Sequence, residues 1–532
     1  MQMNLSALLE MSNGRTMRVS SVKKYIDYLS AFGYSAIYLG MTDATKIQGE
    51  PYFNYNRAGY TQAQLREIDE YARQKNMELR MTLQTLAHMH YALRFKYYED
   101  IRDTGDILLV GEEKTYVFIE KLIRHVSECV SSRVLHLGMD EAFDLGKGRY
   151  KELHGEVNRR EIIIEHLNRV AAIAKKYGYR CEIWADMFTR MALDNVGTLG
   201  PSYLDELKRK LPENVTLYYW DYDGVDHEIL TQRIGYNTAI CPKVGYAGSI
   251  RTIWGLSPYN RIGCGHIAKQ MDICEECGVK DYMITLWTDN SLCDLWSALP
   301  GLFYASEYNR TGKAPTEEAK KRFEKIVGIG FDDYMTVDYL NDPFMRHEET
   351  YSTVSMAAMF TDLLYGYFDY YLDERAAEQY RLLAEKYRSL IGKGFDHVFK
   401  VFALYAEIVS LKIQTGNRIR SGYKRHDLAE LTGICDESLP LLIRKVGDFV
   451  RLFSECWDEN YYPQGCEAVQ YYLGGLRARL ENVLSRLKEH VSSGKGIEEL
   501  EREELPPSED FTIENFRYTS IRQFMTFTNF NF

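Results

Sequence analysis

Two adjacent acids, Asp140 and Glu141, close the stretch Ser132-Arg133-Val134-Leu135-His136-Leu137-Gly138-Met139-Asp140-Glu141-Ala142. Val134 to Leu137 is an apolar run of strand length, and a buried strand interior does not tolerate unpaired neighbouring carboxylates. The pair therefore belongs at a strand end, facing a pocket. Crowding and partial burial there push two carboxyl pKa values apart, so that one acid stays ionised while the other keeps a proton, as acid and base chemistry near neutral pH requires. The competing reading is a strand-to-loop pair that caps a helix or meets a lysine, and the surrounding residues weigh against it.

Four of the six tryptophans, Trp184, Trp220, Trp254 and Trp287, recur at intervals of 36, 34 and 33 residues, one βα unit each time. They fall at or just past the ends of expected strands. Asp186 follows Trp184, Asp221 follows Trp220 and Asp289 follows Trp287. A pyranose ring offers C–H faces to aromatic side chains and hydroxyls to carboxylates, so interleaved rings and acids suit a sugar pocket. The plainer alternative is that the indoles close the top of the fold as packing.

Positioning these residues requires a scaffold that delivers many strand ends to one face. From Asn4 to about Phe303 short apolar runs alternate with longer amphipathic segments, the pattern of βα units around a parallel sheet. Strands are predicted over 5–11, 36–39, 77–83, 134–138, 180–184 and 216–220, within 236–254, and over 282–287. Helices are predicted over 20–32 with Ser20 or Ser21 as cap, over 61–75 opened by Thr61, over 113–130 and over 160–177. Gln84 to Gly111 is a long loop carrying His88 and His90.

Eight such units make a (β/α)8 TIM barrel at 1–310. Asn309 to Thr316 is a polar break, followed by an all-α domain at 311–500 with helices expected over 317–325, 353–371, 374–391, 398–415, 439–456 and 467–490. An aromatic segment at 501–532 is expected to pack back on the body. The run Tyr365-Gly366-Tyr367-Phe368-Asp369-Tyr370-Tyr371 is too aromatic for a solvated face and should pack on the barrel or in a homodimer interface.

The 532 residues, 45% hydrophobic and 27% charged, describe an ordinary globular chain. A net charge of −11 argues against nucleic acid as the ligand. No secretion signal or membrane span is expected, and ten scattered cysteines suit a reducing compartment, so the expected location is the cytoplasm. Cys274-x-x-Cys277 lacks a second pair at zinc spacing, and no metal or cofactor is expected.

The pattern His136-x-Gly138-x-Asp140-Glu141 resembles the signature of glycoside hydrolase family 20, the β-N-acetylhexosaminidases, in the bacterial branch with a C-terminal helical domain. Gly49-Glu50-Pro51-Tyr52-Phe53, Gln84-Thr85-Leu86-Ala87-His88, Trp184-Ala185-Asp186-Met187-Phe188, Tyr219-Trp220-Asp221-Tyr222 and Leu286-Trp287-Thr288-Asp289-Asn290 are similar to further stretches of that family. The resemblance implies an exo-acting, retaining enzyme on an oligosaccharide or glycoconjugate, in which the substrate's own acetamido oxygen is the nucleophile. Glu141 would be the general acid and then the base, and Asp140 would hold the acetamido N–H.

Trp184, Trp220, Trp254 and Trp287 would enclose the ring, and Tyr222, Tyr219 or Tyr246 would position the acetamido carbonyl. His88 resembles a pocket histidine that touches the sugar or braces Asp140, while His136 reads as internal scaffolding. Asn13 stands where relatives carry an arginine, with Arg15 two residues on, and Arg251 where an aromatic residue is usual. These departures imply altered sugar preference, in one form a 6-O-anionic sugar met by Arg251. A glycosidase using Glu141 with Asp289 or Asp186, and a catalytically silent carbohydrate binder, are the alternatives.

Overall fold

In a computed structural model, described here for residues 2–11, 15–193, 201–253, 255–288, 292–344, 354–366 and 368–502, eight parallel strands close into a barrel. They are β1 Asn4–Glu10, β2 Ala36–Gly40, β3 Glu78–Thr82, β4 Val134–His136, β5 Arg180–Trp184, β6 Val215–Trp220, β7 Val244–Ser249 and β8 Asp281–Leu286. Closure is made by β1 on β8, with Leu5 opposite Tyr282 and Leu9 opposite Leu286. Helices such as Val19–Phe32, Gln62–Gln74, Glu113–Cys129 and Arg159–Lys176 alternate with the strands, which gives the expected (β/α)8 order. All strand ends of one polarity, and the loops that follow them, therefore share one rim.

Every second strand residue points inward. Leu8, Tyr38, Trp184, Tyr218, Ala247 and Met283 fill the middle of the barrel. Burying a large side chain of this kind stabilises the fold by about 1.5–3 kcal/mol. The helix Gln62–Gln74 opens as expected: Thr61 accepts from the Gln64 backbone N–H at 3.3 Å, and the Gln64 side chain accepts from the Thr61 N–H at 2.9 Å. The first helix differs from expectation. It begins at Val19 with Arg18 in the cap position and no side-chain cap, and Ser21 is buried inside it.

Two compact units divide the described chain: Met1–Ile250 with Gly263–Trp287 and Leu302–Pro315, and Arg251–Ile262 with Thr288–Gly301 and the residues from Thr316 onward. The second is helical. The helices Glu374–Leu390, Asp396–Lys424, Leu439–Asn460 and Cys466–Ser493 pack each against the next.

The helix expected over 353–371 stops at Phe360 instead. The buried Lys412 ammonium donates to the Ala358 and Thr361 carbonyls and so closes that helix, while Gly366 takes a left-handed φ of 61° that helical continuation forbids. Within the aromatic run, Phe368 is buried and Tyr370 is exposed. Most of the 501–532 segment lies outside the described residues. Among the described residues no helix is long and apolar enough to cross a membrane.

Candidate active site

The rim around β3, β4, β5 and β6 gathers titratable and hydrogen-bonding groups. β4 ends at His136, and the chain then turns sharply: Gly138, Met139 and Glu141 all have positive φ (68°, 69° and 51°). Such a run costs of order 1–3 kcal/mol per non-glycine residue and persists only where the surroundings impose it. Several bonds impose it. The buried His136 accepts the Gly138 N–H on Nδ1 at 3.1 Å, and its ring lies 4.3 Å from that of Trp184. Burial drives the His136 pKa down to about 3, so the ring stays neutral with its proton on Nε2. A Cβ on Gly138 would come 2.1 Å from Oε1 of Gln84, so only glycine lets Gln84 lie this close.

Gln84, just past β3, donates from Nε2 to Oδ1 of Asp140 at 3.0 Å. His88 approaches the other oxygen: its Nε2 is 3.3 Å from Oδ2 of Asp140 and 3.9 Å from Oε2 of Glu141. His88 is itself left-handed (φ 56°), and Asp106 holds it there by accepting the backbone N–H groups of His88 and His90 at 3.1 and 3.2 Å. Burial disfavours the charge on Asp140, but the hydrogen bond and charge of His88 and the amide of Gln84 outweigh it and hold the carboxyl below its ordinary range. Burial likewise opposes the His88 charge, and Asp140, Asp106 and Glu141 overcome it, raising the pKa to about 9. At neutral pH the pair is imidazolium and carboxylate.

Asp186, expected to meet substrate, is turned inward. Its Oδ2 accepts the Glu141 backbone N–H at 3.0 Å and its Oδ1 accepts the Trp220 indole N–H at 3.4 Å. Burial, then the charge of Asp140, pushes it up to about 7. It is a brace that fixes the Glu141 backbone. The Glu141 side chain is the open member of the group, 38% exposed against 16% for Asp140.

The tryptophans expected around a sugar lie at different depths. Trp220 and Trp287 are half-buried and pack against the barrel core, Tyr222 stacks on Trp220 at 5.2 Å, and the Trp287 indole N–H donates to the Tyr222 hydroxyl at 2.7 Å. Trp184 is 1% exposed and belongs to the core beneath them, because register sets it opposite Tyr218, two residues below Trp220.

Asp221 is a correction of the same kind. Its carboxylate accepts the N–H groups of Asp223 and Gly224 at 3.2 and 2.7 Å and pairs with Arg233 at 2.7 Å, so it closes its own turn. Tyr219 donates to that carboxylate at 3.3 Å and the buried Tyr246 to the Asp221 carbonyl at 2.8 Å, whereas the Tyr222 hydroxyl meets the Trp287 indole. Arg251 falls in the second unit, buried, its backbone bridged to Tyr259. Asn13, Trp254 and Asp289 lie outside the described residues.

Gln84, Asp106 and Asp43 were not singled out from sequence. Asp43, past β2, pairs with Arg57, and burial pushes it up to about 6 against the pull of that guanidinium. Only the position of Gln84 directly after a strand, four residues before a histidine, hinted at its place.

The fold and the placement of this cluster define a (β/α)8-barrel protein with its titratable groups on the C-terminal rim. Two family profiles narrow the class: "Glycosyl hydrolase family 20, catalytic domain" matches residues 14–252 and "Glycoside Hydrolase 20C C-terminal domain" matches 332–517. The chain belongs to glycoside hydrolase family 20. It is similar to Hexosaminidase D of Homo sapiens, 22% identical over 218 residues, which is 39% of this chain and 43% of the relative. Against Hexosaminidase D of Bos taurus it is 22% identical over 225 residues, covering 41% and 62%. The match thus spans less than two thirds of either relative. Among solved structures, the β-N-acetylhexosaminidase of Bacteroides fragilis NCTC 9343 aligns with 15% identity and a TM-score of 0.46, over 61% of this chain and 70% of that one.

Proposed function

We propose that this protein is an exo-acting, retaining β-N-acetylhexosaminidase that removes terminal β-linked N-acetylhexosamine from an oligosaccharide or glycoconjugate by substrate-assisted catalysis. The observation that carries the reading is the unequal treatment of two adjacent acids: Asp140 is clamped as a carboxylate by His88 and Gln84, and Glu141 stands open beside it on a braced, left-handed backbone.

In this reading Glu141 protonates the glycosidic oxygen as the bond breaks, and the acetamido oxygen closes onto the anomeric carbon. Asp140 accepts the acetamido N–H, and its fixed negative charge stabilises the positive charge that spreads over the oxazolinium ring. Glu141, now ionised, takes a proton from the water that opens this ring, which restores the starting state with net retention. Trp220, Trp287 and Tyr222 face the sugar, and the Tyr222 hydroxyl orients the acetamido carbonyl. The family membership and the two Hexosaminidase D relatives support the substrate class. Asp186 is a poor protein nucleophile for a two-carboxylate scheme, because both its oxygens are engaged and burial beside Asp140 favours its protonated form.

The test is a panel of aryl β-glycosides with and without the 2-acetamido group. Hydrolysis confined to the acetamido sugars is the expected result. Comparable hydrolysis of aryl glucosides or galactosides would overturn the mechanism.

A further inference from the structure

The loops after β2 and β3 carry an aromatic surface that the proposed chemistry does not use. Tyr52, Tyr55 and Tyr97 are 37, 48 and 52% exposed, and Phe95 joins them. The Tyr52 ring lies 5.7 Å from Tyr55, 5.2 Å from Phe95 and 5.3 Å from Tyr97, and Phe95 lies 5.8 Å from Tyr55. This is one contiguous patch built from two loops.

Packing does not require it. In each loop the neighbouring ring already serves the core: Phe53, next to Tyr52, and Tyr98, next to Tyr97, are both buried against Phe118 at 5.9 and 5.4 Å. The outward rings are held in place from below. Glu50 is buried and pairs with Lys121 at 2.5 Å, the turns Ile47–Glu50 and Glu50–Phe53 are closed by backbone bonds of 3.2 Å, and the Tyr97 hydroxyl donates to the Gly49 carbonyl at 3.4 Å. Rigid exposed tyrosines, each with an apolar face and a hydroxyl edge, suit ligands that alternate C–H faces with hydroxyls.

The patch also stands on the same rim as the candidate active site. β2, β3 and β4 are neighbours in the barrel, so these loops leave the rim beside the Gly138–Glu141 turn. His88, which grips Asp140, and Phe95 share one loop, seven residues apart across the short helix His90–Leu93, which sets them within about 20 Å. Arg57, the partner of Asp43, lies over the Tyr91 ring at 4.8 Å in that same helix.

The geometry points to a second carbohydrate-binding site: Tyr52, Tyr55 and Tyr97 form a platform for the sugars on the leaving-group side of the scissile bond. The occupant is an oligosaccharide chain, and its assignment to the leaving-group side rests on the exo-hexosaminidase reading above. Aliphatic lipid is the weaker match, because each exposed ring carries a hydroxyl at its edge. The platform holds the distal part of the substrate, so it favours extended glycans over monosaccharide glycosides.

The test compares a β-1,4-linked N-acetylglucosamine tetrasaccharide with free N-acetylglucosamine by calorimetric titration in a Glu141→Gln background, and the tetrasaccharide with its 4-nitrophenyl monosaccharide glycoside by kcat/KM in the active protein. Replacing both Tyr52→Ala and Tyr97→Ala is expected to weaken the tetrasaccharide about 10-fold in each assay and to change the monosaccharide ligands less than twofold. Tyr52→Phe with Tyr97→Phe keeps the rings and is expected to keep the affinity, which separates a binding role from a folding defect. Equal losses for long and short ligands, no loss for either, or a shift in sedimentation that shows the rings buried between two copies would each overturn the platform. The two readings fail separately. Length-dependent binding without turnover of any aryl hexosaminide removes the catalytic reading, and with it the leaving-group assignment, but keeps the carbohydrate platform; turnover without length dependence removes the platform alone.

Discussion

Two of the clusters in which a buried carboxylate meets a cation lie at different depths of the barrel, one on the rim and one lower along the strands. In the lower cluster Tyr38 donates to Glu182 at 2.7 Å and accepts from Arg80 at 2.7 Å. Arg80 lies 3.6 Å from Glu182 and 2.6 Å from Glu78, and Ser132 donates to Glu78 at 2.5 Å. Burial raises the Glu182 carboxyl to about 7 even with Arg80 beside it, much as burial raises Asp186 on the rim. The pairing chemistry is alike, but the backbone and the exposure are not. Arg80 and Glu182 sit on regular strands and close the barrel, whereas His88 and Glu141 sit on left-handed backbone, with the Glu141 side chain open. The Arg80–Glu182 pair, 17% and 5% exposed, meets solvent too little to do more than contribute to folding. The same elements, strained and left open at one member, hold a charge ready for a ligand.

Substitutions should therefore separate the two clusters. Glu141→Gln is expected to lower kcat on a 2-acetamido aryl glycoside about 10³-fold with the thermal midpoint unchanged, and a matching loss of stability would show that the rim acid is structural too. Arg80→Met should do the reverse. Urea titration should show a loss of about 3 kcal/mol, with activity per folded molecule within twofold of the parent, because the buried Glu182 loses its partner.

His88→Gln lies between these extremes. Without the imidazolium, burial is opposed by the Gln84 amide but no longer by a positive charge, and the Asp140 pKa rises, so the acid limb of the kcat/KM profile should move to higher pH, with roughly 10-fold lower activity at neutrality. An unmoved acid limb would break the link between His88 and the charge of Asp140.

Asp186→Asn should have the smallest effect. The folded carboxyl titrates near 7 against an ordinary 3.8, so between these values the folded state binds the extra proton and stability falls as pH rises, the loss being complete above about 7. The asparagine side chain can still accept the Glu141 N–H, so activity should drop less than 10-fold while the fall of stability with pH becomes shallower, Glu182 and Asp43 keeping their own share of it. A slope unchanged from the parent would show that Asp186 contributes none of it.

Much of this was legible in the sequence, because apolar runs that alternate with amphipathic stretches dictate βα units, and because Asp140-Glu141 interrupts a run that would otherwise be buried. Depth within the barrel was not legible. Trp184 and Trp220 each end a strand, yet the register of β5 on β6 puts one in the core and the other in the wall, and nothing in the spacing of the indoles tells them apart. Long loops carry no periodicity, so Gln84 and Asp106 gave little or no signal, although both hold the imidazolium and carboxylate in place. The polar partners of Asp221 likewise emerge only once the 221–224 turn has folded. In the helical unit, the apolar pattern of 353–371 reads as one helix, and a single left-handed glycine with a buried lysine on the carbonyls decides otherwise.

The central claim is that Asp140 and Glu141 serve a nucleophile supplied by the substrate. It is tested most directly by the rates of aryl 2-acylamido glycosides whose acyl group changes from acetyl through fluoroacetyl to trifluoroacetyl. Each fluorine withdraws electrons from the carbonyl oxygen, so kcat/KM should fall steeply and monotonically along the series if that oxygen attacks the anomeric carbon. A rate that stays level from acetyl to trifluoroacetyl would contradict the account, because the nucleophile would then belong to the protein or to water.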